Sequence, residues 1–296
     1  MTTYANTEAE QIFAKIDAWW AEWLEALDSI DDAEKLTPGV CEDWSVKDLM
    51  AHTAVWDIHA AEVAEALAAG RERPDIDGLT GDEFNAETSA RDAGLTLDEA
   101  RAAMDAAHAD MLARLYALDS LEPEPVAEDT YGHYPDHVDQ VLFWRNQTAD
   151  VRDAGLTASE VIDRINATWA TWLEVIGGID PAAIDEAGVC GSWSSKDLIG
   201  HVAVWDREAA DTARRETAGE AHPLFDWRRV NEEEADRRRN SSVEELTAQM
   251  HAVHADLMAT LAASPELEAS WVADNTYEHY PQHIAQVRAW RRWRGV

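Results

Sequence analysis

The sequence predicts an all-α protein built as two tandem four-helix bundles, residues 1–150 and 151–296, related by pseudo-twofold symmetry. Three observations lead there. The chain repeats itself: Gln11–Ile58 set on Glu160–Arg207 gives 23 identities in 48 positions, and Asp129–Arg145 set on Asn275–Arg291 gives 10 in 17. The offset is 149 residues in the first block and 146 in the second, too long for a solenoid unit and suited to a duplicated domain. Composition is the second observation. Ala, Glu, Asp and Leu abound, whereas only 14 residues are Gly and 9 are Pro, so helix formers dominate. Third, apolar residues recur at helical spacing behind capping boxes, in the same order in both halves. Duplication of a dimeric ancestor preserves its interface, hence the expected pseudo-twofold axis and a monomer that is an intramolecular pseudo-dimer.

The first helix is expected from Thr7 to Ser29. Thr7 and Glu10 form a capping box, and Ile12, Ile16, Trp19, Trp20, Trp23 and Leu27 make its apolar stripe. A turn with Pro38-Gly39 follows. Ser45 caps the second helix with Asp48 three residues on; Leu49, His52, Val55, Trp56 and Val63 line its inward face, and Gly70 ends it. Residues 71–81, rich in Gly, Pro and Asp, form the long crossover where the repeats differ in length. A helical stretch carrying Asn85 leads to the capping box Thr96–Glu99 and a third helix reaching Leu118. The fourth starts near Tyr131 and runs through Trp144, with Pro135 tolerated because first-turn amides lack intrahelical partners. Thr148–Gly155 is the expected linker, and a capping box at Thr157–Glu160 restarts the plan.

Charge narrows the function. A net charge of −35 argues against binding nucleic acid or an anionic membrane, since both need a basic face. The acidity is uneven, −25 over residues 1–150 and −10 over 151–296. Four lysines against 20 arginines fit either a salt-adapted cytoplasm or GC-rich coding. Cys41 and Cys190 occupy equivalent positions, one per half, which is not a disulfide framework. No export signal or run of 18 apolar residues occurs, so a cytoplasmic protein is expected.

The chemistry concentrates in a phrase written twice, TYGHYPDH at Thr130–His137 and TYEHYPQH at Thr276–His283. His133 and His137 stand at i and i+4, so both rings emerge from one helical face. His52 lies on the inward face of the second helix, and three imidazoles can converge inside a bundle. His201, His279 and His283 repeat the set. Three neutral histidines leave a divalent ion with open positions, the arrangement of a catalytic site. Zinc, nickel and iron all suit such a donor set. The other reading is a histidine-lined pocket without metal, because the neighbouring Trp, Tyr and Pro recur too.

Trp44-Ser-Val-Lys-Asp-Leu-Met-Ala-His52, followed 81 residues on by His133 and then His137 (78 residues on in the second half), resembles the DinB/YfiT-like superfamily of four-helix bundles. Trp-Ser-Val-Lys-Asp, Asn85 and Leu97-Asp-Glu-Ala with the following His108 resemble its ClbS/DfsB branch. The resemblance covers nearly the whole chain as two copies. It implies a metal-dependent enzyme with His52, His133 and His137, and by repeat His201, His279 and His283, as ligands. The superfamily includes thiol S-transferases and a thiol-dependent maleylpyruvate isomerase, so a low-molecular-weight thiol is an implied cofactor and a small metabolite the implied substrate. The ClbS/DfsB branch implies hydrolysis or sequestration of a reactive small molecule without this complete triad.

Trp56, Asn85 and Tyr134, with Trp205, Asn231 and Tyr280, are the expected pocket walls, since they neighbour the histidines or can bond a ligand. His108 and His254 fall among apolar helical neighbours and read as packing residues or supports of the ligands. Cys41 and Cys190 have no histidine nearby in sequence and no coincident helix start, which argues against nucleophiles. The basic run Arg288–Arg294 suits a helix C-terminus.

Overall fold

The computed structural model describes residues 8–76, 78–153, 155–222, 226–264 and 266–295, with the side chains of 146–153 excepted. The chain divides into two compact units, Met1–Trp144 and Arg145–Val296, and each is all-α in its framework.

In the first unit α1 (Glu8–Asp28) buries Ile12, Ile16, Trp23 and Leu27 along one face. Its expected cap, Thr7, lies outside the described residues. After a 3₁₀ turn at Glu34–Leu36, Gly39 takes φ +110°, a conformation that an L side chain rarely adopts. Cys41 and Trp44 pair as an isolated antiparallel bridge. α2 (Val46–Ala68) begins at the expected capping box: the Ser45 hydroxyl accepts from the Asp48 amide, and the Asp48 carboxylate accepts from the Ser45 amide. Ala60, Ala61 and Ala64 are buried on α2, so this helix can approach closely the neighbour it packs along, α4 (Leu97–Tyr116). Between them α3 (Gly81–Asp92) fills the crossover behind its own capping box at Thr80–Glu83. A short helix absent from the sequence reading, α5 (Pro123–Asp129), precedes α6 (Tyr134–Asp153).

The second unit repeats this with α7 (Ala158–Gly177), α8 (Ser195–Ala218), α9 (Trp227–Arg238), α10 (Val243–Ala262) and α11 (Tyr280–Arg294). Where the first unit has one bridge, β1 (Ala187–Cys190) and β2 (Trp193–Ser194) form a small antiparallel pair. Two 3₁₀ turns, Ala269–Trp271 and Ala273–Asn275, stand where the first unit has α5. Both cores are pinned alike. The Trp23 indole donates to the Met104 sulfur at 3.3 Å, and Trp172 to Met250 at 3.3 Å.

One boundary needs correction. The expected linker Thr148–Gly155 is mostly helical, because α6 continues to Asp153. No Gly or Pro occurs from 146 to 153, so nothing in the backbone chemistry stops the helix earlier. Among the described residues, no helix is long and apolar enough to cross a membrane.

Candidate metal centres

The repeated phrase is a turn that feeds a helix. Thr130 is fully buried and its hydroxyl donates to the Val126 carbonyl at 2.5 Å. The Thr130 carbonyl in turn accepts from the amides of His133 (2.7 Å) and Tyr134 (2.8 Å). Tyr131 donates its hydroxyl to the Pro123 carbonyl at 3.1 Å, tying the turn to α5. His133 therefore sits just before α6, and His137 in its first turn. The second unit holds His279 with helical dihedrals (φ −86°, ψ −45°) ahead of α11, which is why the i, i+4 relation survives outside the regular helix. Pro135 and Pro281 occupy the first turn, where a missing N–H costs nothing.

His52 on α2 completes the first set. Its Nε2 lies 3.1 Å from His133 Nε2, which lies 3.0 Å from His137 Nε2. In the second unit the corresponding separations are 3.2 Å (His201–His279) and 2.9 Å (His283–His279). Nitrogens each about 2.0–2.1 Å from one ion stand roughly 2.9–3.4 Å apart over octahedral to tetrahedral angles. All four separations fall in that window, and both triads are groups that could hold a metal ion.

Hydrogen bonding supports the fit. Gln140 donates its amide N–H to Cys41 Sγ at 3.5 Å, so its carbonyl oxygen faces His137 Nδ1 at 2.8 Å. That contact places the His137 proton on Nδ1 and leaves a lone pair on Nε2. A single N–H on His133 Nε2 cannot satisfy both neighbours well, so the cluster calls for an electron-pair acceptor at its centre. A proton fills that role poorly. Burial, with the charges of His137 and His133, lowers the pKa of His52 to about 2. Burial, with His137, lowers that of His133 to about 3, and burial also lowers His137 despite Gln140. His201 and His279 are pushed well below the ordinary range by the same causes, and His283 to about 4. Nδ1 of His52, His133, His201 and His279 is buried without a close hydrogen bond, although the Asp129 backbone acts on His133, the Asn231 side chain on His201 and the Asn275 backbone on His279.

The first triad opens onto a cleft of about 530 Å³ lined by Cys41, Glu42, Trp44, His52, Asp82, Asn85, Ala86, His133, Asp136, His137 and Gln140. Trp56 stands with its ring centroid 6.1 Å from His52 and 6.0 Å from His133, and its indole N–H donates to Asn85 Oδ1 at 3.0 Å. Trp205 approaches His201 at 5.9 Å and His279 at 5.3 Å. Asn231 sits against His201. Tyr134 and Tyr280, also expected beside the ligands, are buried in the core instead, each turned onto an aspartate.

Those aspartates are what sequence reasoning missed. Asp57 on α2 is fully buried and accepts from the Tyr134 hydroxyl at 2.5 Å and from His108 Nδ1 at 3.2 Å. Trp20 stacks on His108 at 3.7 Å. Asp206, Tyr280, His254 and Trp169 repeat the arrangement, with His254 Nδ1 2.8 Å from Asp206 and Trp169 3.7 Å from His254. His108 and His254 are thus held inside a polar core network and belong to neither triad. Burial raises the pKa of both aspartates, against the pull of their histidine and tyrosine partners. The recurrence of an acid within an apolar helical face was the available signal. A further pair, His59 Nδ1 to Asp129 at 2.7 Å, exists only in the first unit; Glu208 and Asn275 take those positions in the second. Cys41 reaches the cleft although no histidine is near it in sequence, and burial with the Glu42 charge raises its thiol pKa.

Comparison with known proteins adds one finding. The family model for the mycothiol maleylpyruvate isomerase N-terminal domain matches residues 16–151 and again 165–296. No curated protein and no solved structure matches.

Proposed function

Since the chain belongs to the mycothiol maleylpyruvate isomerase N-terminal domain family, a DinB/YfiT-like family carried here twice, we propose that each unit is a divalent-metal-dependent centre for thiol chemistry on a small molecule. The observation that carries the reading is the convergence of three imidazole Nε2 atoms in both units. His52, His133 and His137 would hold one ion, and His201, His279 and His283 another. When bound, such an ion supplies Lewis acidity and lowers the pKa of a water or thiol at its open positions. The chain's own residues do the rest. Gln140 and Gln286 orient His137 and His283 by accepting from Nδ1. Trp44 and Trp56 exclude water from one side of the first triad, and Asn85 offers a polar group to a bound molecule. A low-molecular-weight thiol is the co-substrate that fits the family, and transfer or hydrolysis on a small electrophilic metabolite in the cytoplasm is the reaction class.

The test is elemental analysis of wild-type protein beside His137→Gln and His283→Gln. Gln keeps a polar side chain of similar reach and removes the imidazole. Two ions per chain, falling to one in each variant with helicity unchanged, are expected. Metal should also raise the melting temperature, because a ligand stabilises the state that binds it. No ion after reconstitution would overturn the reading. It would favour the metal-free alternative of the ClbS/DfsB type, in which the same cleft sequesters a reactive metabolite and the ring nitrogens, already at hydrogen-bonding distance, bond to each other.

A further inference from the structure

The two centres share their histidines but not their surroundings. Around the first triad the cleft carries three exposed acids, Glu42, Asp82 and Asp136. The equivalent positions of the second unit are Gly191, Arg228 and Gln282, and one acid, Glu232, replaces Ala86. Behind His52, a small hollow between α2 and α3 is lined by Asp48, Ala51 and Asp92 among others. There the second unit substitutes Gly200 for Ala51 and Arg238 for Asp92.

Those last two changes fit each other. Arg238 is only 7% exposed, and its Nη1 donates to the Gly200 carbonyl at 2.5 Å. A Cβ at position 200 would lie 2.6 Å from the Arg238 Cδ and Nε, so the glycine is what admits the guanidinium beside His201. Arg238 makes no ion pair among the described residues, although Glu234 and Asp197 lie near enough to act on its charge. Its Nε is buried without a hydrogen-bond partner. A desolvated cation with an unused N–H is a costly arrangement that an anionic oxygen would relieve. The guanidinium also acts electrostatically on His201 itself.

We propose that the second centre admits an anionic ligand, of the carboxylate class, beside Arg238, whereas the acids around the first centre repel one and select neutral or cationic ligands. This rests on the reading of the two triads as ligand sites. The duplicated chain then handles two substrate classes, or two parts of one reaction, with the same donor set.

The test uses acetate as probe on full-length protein loaded with Co²⁺, whose visible spectrum reports ligands at the ion. His137→Gln leaves only the second centre loaded and His283→Gln only the first. Acetate should perturb the second centre at a concentration about ten-fold lower than the first, with the gap closing as ionic strength rises. Arg238→Gln should weaken the acetate response of the second centre while Co²⁺ content stays the same. The surface variant Glu42→Gln/Asp82→Asn/Asp136→Asn, which touches only exposed side chains, should bring the first centre toward the second. Equal acetate response at the two centres, or a second-centre response that Arg238→Gln leaves unchanged, overturns the proposal. Metal-free protein with ¹⁵N-labelled histidines is titrated in parallel. If Co²⁺ fails to bind but acetate shifts His201, His279 and His283 alone, the metal reading falls and this one stands. If acetate moves neither set in the absence of Co²⁺ binding, both fall.

Discussion

Asp57→Ala is the most informative single perturbation of the first unit. The carboxylate is fully buried and is the acceptor for two buried donors, the Tyr134 hydroxyl and His108 Nδ1. Removing it strands both. A buried donor left without its partner costs about 1–3 kcal/mol, and part of the loss is offset because a costly buried acid disappears too. A net destabilisation of about 2–4 kcal/mol follows, which for a unit of this size lowers the melting temperature by roughly 6–14 °C. Asp57→Asn keeps the shape and one acceptor oxygen and should cost only about 1–2 kcal/mol. Tyr134→Phe removes one donor, and in combination with Asp57→Asn it should show a coupling of about 0.5–3 kcal/mol. Calorimetry or circular dichroism on the four proteins of that cycle measures it, with Asp206→Ala as the counterpart in the second unit. Metal content at 25 °C should not change, since neither Asp57 nor His108 touches a triad nitrogen. An Asp57→Ala protein within about 1 kcal/mol of wild type, or a cycle with no coupling, would refute the network as a source of stability.

Three further outcomes follow from the same geometry. Gln140→Ala should weaken ion binding at the first centre by about 10–100-fold in a competitive chelator titration while leaving the second alone, and an unchanged affinity would show that His137 needs no orienting partner. Metal-free protein should lose stability as pH falls below about 6.5, because the unfolded chain takes up protons there while His52, at about 2, His133, at about 3, and His283, at about 4, do not; Asp139, raised to about 7 by burial and Asp136, opposes them with a single group. Each such histidine adds up to about 1.4 kcal/mol per pH unit, so a flat stability profile from pH 7 to 4.5 would contradict the burial of the rings. Gly132→Ala should destabilise by about 1–3 kcal/mol, because its Cβ would meet the Ala127 carbonyl oxygen at 2.7 Å; a neutral result by denaturant melt would mean that α5 yields easily.

Which parts of this were legible in the sequence follows from how far apart the interacting residues lie. Helices announced themselves through local chemistry: the Ser45–Asp48, Thr96–Glu99 and Thr157–Glu160 boxes all cap where their spacing indicated. α5 escaped because seven residues containing Pro123 and Pro125 read as loop, and α6 overran its expected end because no breaker stood in its way. The triads were legible because two of their members stand four residues apart and the third recurs at nearly the same distance, 81 residues away in one half and 78 in the other. Asp57 and Gln140 were identical in both repeats yet carried no visible role, since one partner of Asp57 lies 51 residues away and Cys41 lies 99 residues from Gln140. Only packing brings those pairs together, and by it Cys41 enters a cleft that sequence distance had seemed to deny it. Duplication sharpens the point as an internal control. Asp57 and Asp206 keep both the residue and its partners, so that network is part of what the bundle needs. Asn85 and Asn231 keep the residue alone: the first accepts from Trp56, whereas the second lies against His201. A shared residue type therefore marks a shared position, and its contacts have to be read from each unit separately.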